Sequence, residues 1–377
     1  MILSEEQSMI RDMAREFAAN RLAPDSAAWE QAASIPRTIF DEMGSLGLMG
    51  MTVPEIYGGA ETDFVSYALA LMEIAGGDGA VSTVMSVNNS PCCAALLKDG
   101  TEEQKLKYLV PVAKGEMIGA FCLTEPQAGS DASALKTKAV RDGDEYIING
   151  TKQFITSGKI GGVALVFAVT DVDAGKRGIS CFIVPTDAEG YRVASIENKL
   201  GQKASDTCQI VFDDVRVPAS NMLGAEGAGY KIALANLETG RIGIGAQSVG
   251  MAAAALEHAI AYAKERVTFG QPIFEHQAVG FRLADMATKV EVARQMVLHA
   301  ATLKDAGVPC LTEASMAKLF ASEMAEEVCS GAIQTLGGNG FIADYPVEKI
   351  YRDVRVCQIY EGTSDIQKLV IARNLAA

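Results

Sequence analysis

The sequence predicts an α+β fold in three consecutive parts: helices, then a compact antiparallel β unit, then a bundle of four to five long helices. Three observations carry this. The hydrophobic period is helical before about Ile118, gives way to short β-branched and aromatic runs up to Val217 and Pro218, and is helical again from Tyr230. Helices and strands are thus segregated, which argues against a doubly wound sheet, where they alternate. At 377 residues the chain also exceeds the usual size of one core, so several units sharing a large interior are expected.

The elements follow in order. Met9, Met13, Phe17 and Ala18 mark one apolar stripe, and Ile39, Met43 and Leu46 mark another before Gly47. Pro54-Glu55-Ile56-Tyr57-Gly58-Gly59 is turn-rich, a helix is predicted over 64–74, and the small and polar stretch 84–91 leads into another. Strands are predicted at 118–123, 146–149, 164–170, 179–184 and 209–212, with Asp142-Gly143-Asp144 as a hairpin turn. Beyond Tyr230, the runs Gly270-Gln271-Pro272, Gly307-Val308-Pro309 and Gly337-Gly338-Asn339-Gly340 punctuate helices of bundle length. There is no internal repeat and no low-complexity tail.

Composition excludes several classes. Formal net charge is −14, and the first 120 residues hold 17 acidic and 8 basic side chains, which opposes nucleic acid as a partner. No apolar run is long enough to cross a bilayer, so no membrane insertion is expected. The first residues, Met1-Ile2-Leu3-Ser4-Glu5-Glu6-Gln7, lack signal-peptide order. A cytoplasmic location is expected, or a mature mitochondrial-matrix form in a eukaryote. Eight cysteines with three histidines and no CxxC pair suggest buried free thiols, with neither a disulfide framework nor a metal site.

The candidate catalytic base is Glu361, in Ile359-Tyr360-Glu361-Gly362-Thr363-Ser364-Asp365-Ile366-Gln367. Ser364 with Gln367 fits a capping box, and Ile366, Leu369 and Val370 give the following helix a buried face, so the acid sits on a loop pinned to something rigid. Apolar neighbours strip its hydration and push its pKa up, toward useful basicity. Gly362 leaves room for close approach of a ligand.

Other motifs admit two readings each. Leu123-Thr124-Glu125-Pro126-Gln127-Ala128-Gly129-Ser130-Asp131 follows a strand and points amides and hydroxyls outward, as a flavin edge or pyrophosphate requires, or simply turns the chain. Phe154 and Thr156 are two apart, hence on one face of a strand, where the ring stacks on a planar cofactor or fills a core. Glu238 and Arg241 lie three apart early in a helix, as a surface ion pair or as a cation beside the core awaiting a ligand. The segments Arg266–Pro272 and Gln334–Gly340 end helices with glycine and either cap them or present Arg266 and Gln334 to phosphates. Neither has a dinucleotide fingerprint.

Taken together, six runs resemble the acyl-CoA dehydrogenase family from Ser4 to the last residues: Pro54–Gly59, Leu123-Thr124-Glu125-Pro126, Phe212-Asp213-Asp214-Val215-Arg216-Val217-Pro218, Arg266-Val267-Thr268-Phe269-Gly270, Gln334-Thr335-Leu336-Gly337-Gly338 and Ile359-Tyr360-Glu361-Gly362-Thr363. The resemblance implies an N-terminal α-helical domain at 1–119, a middle antiparallel β-barrel-like domain at 120–228 and a C-terminal four-helix bundle domain at 229–377. It further implies FAD between the last two, and a homotetramer built as a dimer of dimers. Leu123, Thr124, Ser130, Phe154 and Thr156 would line flavin and pyrophosphate, with Thr363 and Asp365 also touching FAD. Arg266, Phe269, Gln277, Gln334 and Gly338 would contact the adenosine end of a neighbouring subunit's FAD. Glu361 would take the α proton of an acyl-CoA thioester, with Ser130, Glu238, Arg241 and Gly362 binding the substrate. Electrons would pass to an electron-transferring flavoprotein.

Some relatives place the base on the bundle helix, at the position of Gly240 here, which leaves Glu361 as the base. Phe154 stands where many members have tryptophan, Glu238 where aspartate is commoner and Gln127 where glycine is frequent. Gly240-Arg241-Ile242-Gly243-Ile244 most resembles members acting on short straight or short branched chains, so a butyryl-like substrate is expected. The alternatives are a medium-chain dehydrogenase, a flavin oxidase of the same fold, and a non-catalytic acyl-CoA binder.

Overall fold

The computed structural model describes residues 1–376; Ala377, the last residue of the expected bundle domain, lies outside the described residues. Its fold class is the expected one. Eight helices come first: α1 (Glu5–Phe17), α2 (Ser26–Ala32), α3 (Arg37–Ser45), α4 (Phe64–Gly77), α5 (Gly79–Val87), α6 (Ala94–Asp99), α7 (Glu102–Gln104) and α8 (Val110–Ala113). Ser4 and Gln7 close a capping box at the start of α1, satisfying two otherwise unpaired amides. Helix α4 is buried nearly all round, as a helix walled in by others must be.

The strands are β1 (Gly119–Cys122), β2 (Lys138–Asp142), β3 (Glu145–Thr156), β4 (Val163–Val169), β5 (Ile179–Pro185), β6 (Tyr191–Ile196), β7 (Thr207–Pro218) and β8 (Met222–Leu223). They form one sheet in the order β6-β7-β3-β2-β4-β5-β8, with β1 added beside β4. Most pairs are antiparallel, but β1 runs parallel to β4, and β2 meets β4 in a single parallel pairing. The hairpin at Gly143 is as expected, with Asp142 opposite Glu145 and Gly143 at φ 66°. The predicted runs did not include β2 or β6, whose exposed, polar residues give little apolar alternation to read.

Five helices follow: α9 (Gly229–Glu265), α10 (Gln277–Asp305), α11 (Leu311–Leu336), α12 (Val347–Val354) and α13 (Ser364–Leu375), with the short strands β9 (Val267–Thr268) and β10 (Gln271–Pro272) between α9 and α10. Alanine and glycine along the inner faces of α9 and α11 let these helices approach closely. The main core runs without a break from α1 and α4 into α9, α10 and α11.

One buried charge cluster ties all three parts together. Lys349 Nζ of α12 donates to Asp353 Oδ2 (2.7 Å) and to Asp78 Oδ2 (3.1 Å) at the start of α5, and the Gln202 amide after β6 donates to Asp353. Burial works against the Lys349 charge, but the two carboxylates outweigh it and raise its pKa. All eight cysteines are free and buried. Among the described residues no helix is long and apolar enough to cross a membrane, and no cluster of three or more His, Cys, Asp or Glu side chains could hold a metal ion.

Candidate active site

Glu361 and Gly362 form a turn in which both residues have positive φ, 55° and 88°. Such a conformation is uncommon for a residue with a side chain and persists only where the surroundings enforce it. Three things enforce it here. Gln367 Nε2 donates to the carbonyls of Glu361 (3.1 Å) and Gly362 (2.9 Å), and Lys318 Nζ of α11 donates to that of Gly362 (2.8 Å). Both Lys318 and Gln367 are fully buried. The third is Gly362 itself, where a Cβ would also stand 2.8 Å from Gln367 Nε2.

The turn places the Glu361 carboxylate on the surface of α9 at Gly240. A Cβ on residue 240 would lie 2.4 Å from Oε2 and 3.0 Å from Oε1, so the missing side chain is the space the carboxylate occupies. Oε2 is buried and, among the described residues, has no hydrogen-bond partner. Burial raises the Glu361 pKa to about 7, and the positive charges of Arg241 and Lys318 keep it from rising further. A carboxylate poised there, with its buried oxygen unpartnered, can accept a proton at neutral pH.

Arg241 is 7% exposed, and its Nη1 donates to Ser315 Oγ of α11 (3.3 Å) while Nε has no partner among the described residues. Burial lowers its pKa, opposed by the charges of Glu361 and Glu238. It is therefore the core-side cation of the two readings, and Glu238, beside it on α9, is half-buried.

A second group sits on the β unit. Leu123 is buried, Thr124 and Thr156 are half-buried, and Ser130 is exposed. The loop after β1 is fastened to β3 by a buried ion pair between Glu125 and Lys152 (2.8 Å), with Lys152 Nζ also donating to the Leu123 carbonyl (3.0 Å) and the Gln153 amide to the Thr124 carbonyl (2.9 Å). Burial opposes the Glu125 charge, but Lys152 and the Lys136 amide overcome it and hold the carboxyl down at about 2. Removing one partner of such a pair strands the other, so Lys152→Met is expected to destabilise the fold by about 3–5 kcal/mol, read by urea denaturation.

Phe154, exposed, and Thr156, half-buried, flank the buried Ile155 beside a bulge in β3. The register of β3 against β7 slips between Lys152 and Ile155, and Phe154 is the extra residue, at φ 58° and 62% exposed. A bulge breaks the period of two and turns the ring outward. The expected cap is corrected: Thr363, not Ser364, caps α13, accepting from the Ile366 amide (3.3 Å). Gln367 serves the Glu361 turn, and it is the one buried residue of α13 among those described; Leu369 is 43% exposed. Asp365 is exposed on the first turn of α13.

A third group is remote from Glu361. Arg266, Gln277, Gln334 and Gly338 are exposed, and Phe269 is 98% exposed. They converge where Asn339 Nδ2 donates to Tyr262 OH (2.8 Å), at the far ends of α9 and α11. Arg241 and Arg266 stand about 37 Å apart along α9, at 1.5 Å per residue.

A planar, polar-edged cofactor suits the second group. An exposed aromatic ring stands beside it, and the buried hydroxyls Ser157 Oγ and Ser364 Oγ, adjacent to Thr156 and Thr363, have no partner among the described residues. Sequence reasoning missed Lys318 and Tyr67 as site residues. Both left a signal: Lys318 falls on the buried stripe Ala314, Ala317, Ala321, Ala325, and Tyr67 carries a hydroxyl into a largely apolar helix.

Models of the acyl-CoA dehydrogenase N-terminal, middle and C-terminal domains match residues 4–116, 120–215 and 227–376. The chain is 45% identical over 373 residues to the short-chain specific acyl-CoA dehydrogenase of Clostridium acetobutylicum, covering 99% of this chain and 98% of that one. It superposes on butyryl-CoA dehydrogenase from Megasphaera elsdenii with a TM-score of 0.98, at 41% identity and with 100% of both chains covered. A chain from structural work on the electron transferring flavoprotein of Acidaminococcus fermentans and flavin-based electron bifurcation matches with a TM-score of 0.98, at 47% identity, over 100% of this chain and 99% of that one.

Proposed function

The chain belongs to the acyl-CoA dehydrogenase family and is an FAD-dependent oxidoreductase, and from that premise we propose that Glu361 is the base that removes the α proton of a short-chain acyl-CoA. The observation that carries this reading is the Glu361 carboxylate itself: seated on Gly240, with its Oε2 buried and unpartnered among the described residues, and with its pKa raised to about 7. As the α proton leaves, negative charge builds on the thioester oxygen, and in this reading the Glu361 amide, held in the turn, would donate to it. FAD, when bound, would supply the acceptor for the hydride leaving the β carbon, giving a trans-2-enoyl-CoA. Gly362 and Ser130, with Glu238 and Arg241, then bind the acyl-CoA.

The face of α9 beyond Gly240 supports a short acyl group. A Cβ on Gly243 would lie 3.0 Å from both Tyr67 OH and Ser86 Oγ. At Gln247, about 10 Å from Gly240 along the axis, the face is closed. That side chain is fully buried, donates to Ser82 (2.8 Å) and Thr83 (3.1 Å), and accepts from Tyr360 OH (3.0 Å). Butyryl-CoA or a short branched acyl-CoA fits that depth.

Leu123, Thr124, Ser130, Phe154, Thr156, Thr363 and Asp365 hold the flavin and its pyrophosphate in this reading. The separation along α9 between Arg241 and the group Arg266, Phe269, Gln277, Gln334 and Gly338 supports a reading in which that group meets the FAD of a neighbouring subunit in a homotetramer. An electron-transferring flavoprotein is the acceptor this reading favours, supported by the likeness to the Acidaminococcus chain. Anaerobic titration of the FAD-loaded protein with butyryl-, isobutyryl-, 2-methylbutyryl-, isovaleryl-, octanoyl- and glutaryl-CoA tests the substrate. Bleaching of the flavin absorbance is expected with one of the short acyl-CoAs. Bleaching by octanoyl-CoA alone would overturn the short-chain assignment, and bleaching by none would overturn the reaction.

A further inference from the structure

We propose that Lys318 is a positioning residue for proton abstraction, holding the Glu361–Gly362 turn through the Gly362 carbonyl while its charge keeps the Glu361 carboxylate ionised. The inference rests on Glu361 being the base.

Lysine is seldom fully buried, because its ammonium must give up hydration. Lys318 is fully buried on α11, and its one hydrogen bond among the described residues is to the Gly362 carbonyl, 2.8 Å away. It makes no close ion pair there, although such a pair would be the usual remedy for a buried ammonium. That carbonyl already receives Gln367 Nε2 at 2.9 Å, so the backbone does not need a second donor to be satisfied. What a cation adds that an amide does not is charge directed at the carboxylate of the preceding residue. The turn is the part of the site least able to hold itself, since Glu361 sits at φ 55°.

The charged and titratable groups facing Glu361 and Lys318 come from every element packed around them. They are Arg241 from α9, Tyr67 from α4, Cys92 before α6, and Cys357 just ahead of the turn, with Glu323 further along α11. Tyr67, Cys92 and Cys357 all have raised pKa values through burial and stay neutral near pH 7. Arg241 and Lys318 are therefore the two cations acting on the base. Arg241 reaches it from the α9 side and Lys318 from behind the turn. Burial lowers the Lys318 pKa to about 8, so it is mostly charged where Glu361 titrates.

The sign of the effect follows. Positive charge at Lys318 lowers the Glu361 pKa, so its loss raises that pKa and moves the acidic limb of turnover to higher pH. The wild-type limb is expected near pH 7 in the profile of kcat/KM, which reports the free enzyme. In Lys318→Met the limb is expected to move up by about one pH unit or more, with kcat at pH 7 lower by about tenfold. KM for butyryl-CoA and FAD content are expected to stay near wild type. Lys318→Arg, which keeps the charge, is expected to keep the wild-type limb. If the Met variant does not fold, Lys318→Gln, which retains a donor for the carbonyl without charge, gives the same reading. An unmoved limb in a folded Met or Gln variant overturns the proposal, as does loss that appears only as a lower Tm, less FAD or a higher KM. Glu361→Gln run alongside separates the two levels: if it turns over normally the base assignment itself has failed, and if it is inactive while the Lys318 limb stays put, only the Lys318 role has failed.

Discussion

Glu361→Gln is expected to lower turnover by three orders of magnitude or more while leaving FAD and acyl-CoA binding intact. General base catalysis alone contributes about 10²–10⁴ in rate, and no second carboxylate stands in reserve, because the alternative position on α9 is Gly240. Glutamine is nearly isosteric, so the Gln367 and Lys318 bonds to the turn carbonyls should survive the change. Single-turnover flavin reduction by butyryl-CoA, compared with binding measured from the flavin spectrum, separates chemistry from affinity. Near-normal reduction in this variant would sink the mechanism.

The same variant should gain stability at high pH. The folded pKa of Glu361, about 7, lies above its ordinary value of 4.5. Below 4.5 both states bind the proton and the group costs nothing. As pH rises from 4.5 to 7 the unfolded chain releases a proton that the folded chain keeps, so stability falls, and above 7 the penalty is complete. Glutamine never ionises. Its Tm is therefore expected to exceed that of wild type at pH 8, by an amount equivalent to up to a few kcal/mol, and to converge with it near pH 4.5. Equal melting at pH 8 would mean the Glu361 carboxylate is better solvated than the structure indicates.

Gly240→Ala is expected to cut kcat by about a hundredfold without loss of stability. The added Cβ would stand 2.4 Å from Glu361 Oε2 and 2.8 Å from Cδ, so the carboxylate must leave its seat. A displacement of about 1 Å in a reacting group is enough to cost ~10² in rate. The atom in the way is the free end of a side chain, so the backbone of α9 need not move, and alanine is favoured over glycine in a helix interior by about 1 kcal/mol. Unchanged or higher Tm with depressed flavin reduction is thus the signature of a displaced base. A fall in both would instead mean that α9 itself had shifted.

Much of this protein is legible in its residues. The switch of period near Ile118 and its return near Tyr230 mark the change from helix to sheet and back, because each apolar face must match the geometry of the element that buries it. Glu361 is singled out by the runs elsewhere in the chain that carry the family resemblance, since its own neighbours alone fit an ordinary solvated loop glutamate better. Other readings failed where a tertiary contact outweighed a local rule. The capping box at Ser364 was plausible locally, but Gln367 is drawn to the Glu361 and Gly362 carbonyls and leaves Thr363 to cap α13. The bulge at Phe154, whose position depends on β7 more than fifty residues away in sequence, was likewise not written in the local pattern.

The sequence by itself determined the succession of helical, sheet and helical regions and the family, since these rest on local periodicity and on runs of neighbouring residues. Only the tertiary structure decided that Glu361 lies against Gly240, that Lys318 backs its turn, and that Phe154 faces outward. Those outcomes depend on which side chains meet across distant segments. Burial then sets their charge, and neither proximity nor desolvation is written in the neighbours of a residue along the chain.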